Sequence, residues 1–219
     1  MGTITRSFAN NIGTSGILKA GAFNNASLNN VTALNAAVAT GNMVLISSQT
    51  ASNSASISFT TGIDSTYKEY QFWFIDIHPR TDGVVFHFNL STDGGSNYNV
   101  TKTTTAFGAI HNEGDTSALI GYDDGSDLAQ GTGFQHLLSQ EGVGNGADES
   151  CAGTLQLFNP SSTTYVKHFI VRTNHYSASN YSIDNGIAGY GNTTSAVNAI
   201  QFKMSSGNFD GDILMFGIK

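Results

Sequence analysis

The stretch at residues 67–78, YKEYQFWFIDIH, constrains the fold more than any other part of the chain. Side chains alternate across a strand, so Tyr70, Phe72 and Phe74 point one way while Trp73, Ile75 and Ile77 point the other. Both faces are apolar. Such a strand belongs inside a sheet that is covered on both sides, or on one side by a partner subunit. Asp76 falls on the Phe72/Phe74 side of the alternation, and its ordinary reading is a strand end emerging into solvent.

The same period of two begins at Met43. It predicts strands at residues 43–46, 55–59, 84–90, 153–158, 165–173 and 183–190, with Val84, Phe86, Phe88 and Leu90 inward. Shorter pieces are expected near residues 118–122 and 134–138, inside an otherwise irregular stretch at 108–150. Turn residues punctuate these runs: Asp82-Gly83, Asp93-Gly94-Gly95 and Asn159-Pro160. At the end of the chain, apolar runs at 199–204 and 213–218 flank Gly207-Asn208 and Asp210-Gly211-Asp212. They predict a two-stranded hairpin tied into a sheet, since loose termini fray.

Composition excludes the main alternative. Only 11% of the 219 residues are charged, against a usual ~25%. Long surface helices rich in Glu and Lys are therefore ruled out, and solubility rests on Asn, Ser, Thr and Gly. Nine or ten strands joined by turns indicate an all-β chain, an antiparallel β-sandwich of jelly-roll type, with an up-and-down barrel as the alternative. The strand order is not readable from the pattern.

Residues 1–41 differ from the rest: they hold Arg6 and Lys19 and no acid. Leu28, Val31, Leu34 and Val38 recur at spacings of three, three and four, which suits one face of a short helix capped by Ser27 and stopped by Gly41. A helix of that length is marginal alone in water, so it packs on the body or on copies of itself. Phe23, Leu28, Val31, Leu34 and Val38 are the expected attachment and oligomerisation residues. The expected division is an attachment segment, 1–41, and a β-sandwich domain, 42–219.

The net charge of −7 argues against a nucleic-acid partner and against an anionic membrane surface. No apolar run is long enough for a transmembrane helix, and residues 1–20 lack the apolar centre of a secretory signal. A single cysteine, Cys151, forms no intrachain disulfide and reads as a small core or loop residue.

Chemical signatures are sparse. Asp123, Asp124 and Asp127 can offer oxygen ligands to calcium, with Glu113, Asp115, Asp148 and Glu149 in the same region, but the EF-hand spacing is not met. Otherwise no cofactor is expected. The six histidines show no zinc spacing, although a trimer axis can gather three copies of one of them. No nucleophile elbow, phosphate loop or dinucleotide fingerprint follows a predicted strand, so no enzyme activity is expected. Tyr176, Tyr181 and Tyr190, with Asn174, Asn180, Asn185 and Asn192, combine aromatic faces and amides as glycan contacts do.

Ser205-Ser206-Gly207-Asn208 followed by Phe216-Gly217-Ile218-Lys219 resembles the C-terminal hairpin of a family of bacteriophage virion surface proteins, marine podovirus-like in character. The run Ser91-Thr-Asp93-Gly94-Gly95-Ser96-Asn97-Tyr98 is similar both to a hairpin common in that family and to the Asp-box turn of some propellers. The likeness spans 42–219 and is strongest at 44–59, 67–90 and 197–219. It implies a non-enzymatic structural protein of the virion, made in the host cytoplasm and displayed on the particle. It further implies a homotrimeric short fibre, capsid decoration or tail knob, fixed to capsid, portal or tail proteins through its N-terminal segment. The alternative is a lectin-like tail adhesin that binds a host surface glycan.

Overall fold

The structure, a computed structural model, describes residues 42–139 and 141–219. The expected attachment residues Phe23, Leu28, Val31, Leu34 and Val38 lie outside the described residues. Within them the chain is all β, with no helix.

Twelve strands follow one another: β1 (Met43–Ser54), β2 (Ile57–Phe59), β3 (Glu69–Pro79), β4 (Phe86–Ser91), β5 (Lys102–Asn112), β6 (Ala118–Tyr122), β7 (Gln135–His136), β8 (Cys151–Phe158), β9 (Lys167–Tyr176), β10 (Tyr181–Gly191), β11 (Ala199–Met204) and β12 (Phe209–Ile218). They form two antiparallel sheets, ordered β1-β12-β3-β8-β9-β10-β5-β6 and β2-β11-β4-β7. Steps β1 to β2, β3 to β4, β7 to β8 and β11 to β12 each cross from one sheet to the other. The subsets β1-β12-β3-β8 and β2-β11-β4-β7 therefore have the nested connectivity of a jelly roll. Two insertions, β5–β6 and β9–β10, carry the larger sheet four strands further.

The expected terminal hairpin is corrected by this topology. β11 bonds to β2 and β4, whereas β12 bonds to β1 and β3. Residues 205–208, with Gly207 at a φ of 72°, carry the chain over the edge of the sandwich. The physical reason lies in the side chains. Phe202 and Met204 on one strand and Ile213 and Met215 on the other are all buried, and facing each other removes both sets from water at once. The turn at Asp93 is corrected in the same way: no strand pairs back after it, and the chain crosses to β5 in the other sheet. That turn is nonetheless well built. Gly94 and Gly95 take φ values of 72° and 90°, and Asp93 accepts from Ser91 and Asn97, which hold its carboxyl down at about 2.

Phe202 is the centre of the core. Its ring lies 5.3–6.2 Å from those of Phe59, Phe72, Phe74 and Phe86, which link the two sheets. Past β8 the smaller sheet still reaches the larger, with Phe88 of β4 against Phe169 of β9 at 5.0 Å and Asn89 of β4 against Lys102 of β5. The irregular stretch shares the inner face of β5, β9 and β10 with it. Thr104 donates to the Gln135 side chain at 2.8 Å, Thr173 donates to the Leu137 carbonyl, and the Ser139 N–H donates to Asn185 at 2.9 Å.

β3 does not keep its period. An extra residue bulges at Asp76, against both β12 and β8, with Asp76 at a φ of 50°. The bulge turns Asp76 out to solvent and brings Ile77 inside, fully buried. A strict alternation would bury an unpaired carboxylate, which costs several kcal/mol, so the one-residue insertion is the cheaper arrangement. Gly211 faces the bulge at a φ of 125°, where a Cβ would lie 2.6 Å from the Asp76 carbonyl oxygen. β1 bulges at the same level, with Asn53 at a φ of 51°; Asp210 joins the two, accepting from the Asn53 N–H at 2.8 Å and from the Arg80 guanidinium.

Candidate functional site

The inner face of the large sheet is core. Its outer face has no covering layer among the described residues, and it is not polar. Among the described residues ten large apolar side chains are exposed, and the register places eight of them here: Met43, Leu45, Trp73, Ile75, Phe107, Ile120, Tyr122 and Ile170. Only Leu119 and Tyr165 lie elsewhere. Single exposed apolar residues are ordinary, but concentration on one face marks an interaction surface. Trp73 and Phe216 are in ring contact at 5.0 Å near the β1 edge, with Leu45 across from Phe216.

Of the charges on this face Arg172 pairs with Asp184, while the carboxylates of Glu69 and Asp212 accept from the neutral Gln156 and, at 2.5 Å, Thr50. A partner therefore meets a wide apolar area flanked by two uncompensated carboxylates. Of the strand at 67–78, expected to be covered on both faces, the Tyr70/Phe72/Phe74 face is buried, Trp73 and Ile75 are exposed, and Ile77 is corrected to the buried side.

Beside this apolar area is a shallow hollow of about 500 Å³ over β10, lined by Thr103, Thr105, Phe158, His168, Ile170 and Tyr190. Ala188 and Gly189 form its floor. Tyr190 and His168 stand 6.0 Å apart, ring to ring, across neighbouring strands. This arrangement can stack a flat or ring-shaped ligand and hydrogen-bond it through threonine hydroxyls. The three tyrosines expected to act together are separated. Tyr176 and Tyr181 flank the β9–β10 turn, and Tyr190 is at the other end of β10, about 30 Å away at strand rise.

Asp123, Asp124 and Asp127 occupy the turn after β6. Asp127 accepts from the Tyr122 hydroxyl, and the Asp123 carboxylate accepts from the Gly125 N–H at 3.3 Å. Among the described residues no three His, Cys, Asp or Glu side chains converge as metal ligands. Glu149 is turned away from the turn, over Gly144 and Gly146.

Buried polar groups are more telling than the acidic ones. Lys102 and Lys167 are completely buried, on the two strands that flank β10 at Gly191. The Lys102 ammonium donates to the Asn89 side-chain oxygen at 2.6 Å and to the Val100 carbonyl at 2.8 Å; that of Lys167 donates to the Tyr165 and Thr193 carbonyls. Among the described residues no carboxylate pairs with either, and burial pushes Lys102 down to about 7 and Lys167 in the same direction. Lys102 ties β5 to β4 of the opposite sheet, and Lys167 ties β9 to the loops at Tyr165 and Thr193. Sequence reasoning missed them because a lysine in a Thr-rich run reads as surface.

Cys151 and His175 are register partners on the inner face of β8 and β9, and both are buried. Burial pushes the thiol up to about 12 and the imidazole down to about 4, so neither thiolate nor imidazolium is available near neutral pH. This agrees with Cys151 as a small core residue. His87 and His136 stack at 4.6 Å on β4 and β7, and burial holds His87 at about 3. No protein family, curated protein or solved structure matches the chain.

Proposed function

We propose that this chain is a non-enzymatic structural protein of a bacteriophage virion, a short trimeric fibre or knob that assembles through the outer face of its large sheet. One observation carries the assembly part: eight large apolar side chains are exposed together on a single sheet face. The phage assignment rests on the resemblance of residues 205–208 and 216–219 to virion proteins. In this reading residues 1–41 attach the jelly roll to capsid or tail, and the body is displayed.

The test is the mass of the full chain in solution. Sedimentation equilibrium at micromolar concentration is expected to give a multiple of three chains. Trp73→Glu puts a charge into the apolar contact and is expected to weaken association roughly a hundredfold, leaving circular dichroism unchanged. A wild-type full chain that sediments as a monomer, or a Trp73→Glu variant that associates as tightly as wild type, removes the reading.

The hollow at Tyr190 supports a second reading, an adhesin that binds a neutral glycan. Its aromatic and imidazole walls, small-residue floor and threonine hydroxyls provide stacking and hydrogen bonds. A glycan array is expected to return a binder whose affinity falls roughly tenfold or more in Tyr190→Ala. Binding that survives this change excludes the hollow as the site.

A further inference from the structure

The large sheet ends at β6, and no strand lies on its far side among the described residues. All five of its residues are exposed, Leu119 to 66%, Ile120 to 74% and Tyr122 to 59%. Natural edges are usually protected by Lys, Pro, a bulge or a cover. β6 has none of these: it reads ALIGY and pairs with β5 in unbroken register.

The hydrogen-bond parity shows what this edge offers. The Asn112 N–H donates to the Ser117 carbonyl, and the Asp123 N–H donates to the Ala106 carbonyl. Residues 117, 119, 121 and 123 therefore direct their backbone groups at β5, and Ala118, Ile120 and Tyr122 direct theirs outward.

We propose that β6 pairs antiparallel with β6 of a second copy of this chain, about a two-fold axis through Ile120. Three features of the edge select a second copy. The first is parity: Ile120 meets its own equivalent as a hydrogen-bonded pair, and Ala118 meets the second copy's Tyr122, so every outward N–H and C=O on the strand is satisfied.

The second is shape. In this register Leu119 stands opposite the second copy's Gly121. Gly121 and Gly108 are adjacent on the inner side of β6 and β5, where a hollow of about 220 Å³ opens between Ile110, Ile183 and Glu141. Nothing lies within 4 Å of where a Gly121 Cβ would be. Each copy thus presents one leucine and one matching hole, as an isologous contact requires.

The third is charge. The same register sets Asp123 and Asp124 across from Ser117 and Thr116 of the second copy, so neither carboxylate stands directly opposite another, with Glu113 and Asp115 of the second copy's turn lying just beyond. The two large sheets become one, and the apolar outer face runs on from Ile120 and Tyr122 into its equivalent.

This pairing goes beyond the trimer and does not depend on it: the trimer uses the face, and the pairing uses the edge. Ile120→Cys in the full chain is the direct test. Across a hydrogen-bonded pair the Cα atoms are ~5.5 Å apart, inside the disulfide range. Cys151 is buried and does not compete. Mild oxidation is expected to give a covalent pair at least roughly tenfold faster than in Ser206→Cys, an exposed site remote from β6. Equal rates overturn the proposal.

Ile120→Pro gives the second readout. It deletes an N–H that β5 does not use, which an edge strand tolerates, while blocking the second copy. A hexamer that falls to a trimer supports both the trimer and the edge pairing. A dimer that falls to a monomer supports the pairing and removes the trimer. A trimer unchanged by Ile120→Pro removes the pairing and leaves the trimer, and a wild-type monomer removes both.

Discussion

Phe202→Ala is expected to lower the unfolding free energy by about 3–5 kcal/mol, more than any other single truncation in the body. Phe202 is fully buried on β11 and touches four other phenylalanine rings, from β2, β3 and β4. Alanine there removes the ring's own burial and leaves a void that aromatic neighbours fill poorly, because they are held from both sheets. For a body of this size the melting temperature should fall by roughly 10 °C. Phe202→Leu keeps most of the volume and should cost about 1–1.5 kcal/mol. Urea denaturation of the two variants beside wild type measures both. A loss below about 1 kcal/mol for the alanine variant would show that the two sheets are not joined at this ring cluster.

The second large effect is a pH dependence set by Lys102. Its folded value of about 7 is well below the ordinary 10.5, because burial penalises the ammonium. Between those values the unfolded chain holds a proton that the folded chain has released. Stability therefore rises with pH from about 7 to about 10.5. Below 7 both states are protonated, and the full penalty applies. At ~1.4 kcal/mol per pKa unit the rise is on the order of 4 kcal/mol, and Lys167 adds to it in the same direction. Lys102→Met is expected to flatten this part of the curve. It also leaves the Asn89 oxygen and the Val100 carbonyl without a donor, so at pH 10 the variant should be about 1–3 kcal/mol less stable than wild type. Subtracting the two stability curves between pH 6 and 10 isolates the effect. A variant with the wild-type slope would mean that the ammonium reaches water.

The layers of this fold were legible because large side chains alternate where strands are covered on one side. Phe86, Phe88 and Leu90 declare β4 at sight, as Tyr70, Phe72 and Phe74 declare β3. β5 was missed because its inward residues, Lys102, Thr104, Ala106 and Gly108, are small or polar. Lys102 and Thr104 meet the polar Asn89 and Gln135 of the opposite sheet, so the pattern of large apolar side chains that reveals a core is absent. The C-terminal turn was misread for a different reason. Gly207-Asn208 reports that the chain reverses, and a reversal between sheets uses the same residues as a reversal within one. The bulge at Asp76 was half legible: its exit into solvent was expected, but as a strand end, whereas β3 runs on to Pro79 and Ile77 changes sides.

The candidate interaction surfaces were less readable. Trp73 and Ile75 signalled a second apolar face on β3, and the structure joins them to Leu45, Ile170 and Phe107 from strands remote in the chain. Tyr190 was chosen with Tyr176 and Tyr181 because they are near one another in sequence. An extended strand carries near neighbours far apart, and the groups that meet Tyr190 are His168 and Thr103, one strand to either side.

The pairing of β1 with β12 and of β2 with β11 has a kinetic meaning. The strands made first bond to those made last, Met43 with Ile218, so loop closure is long and folding is slow for the size of the body. A ribosome that has reached Asn208 has still built no complete large sheet. β1 and β3 wait with open edges for the ten residues of β12, and the sandwich closes only after those have emerged.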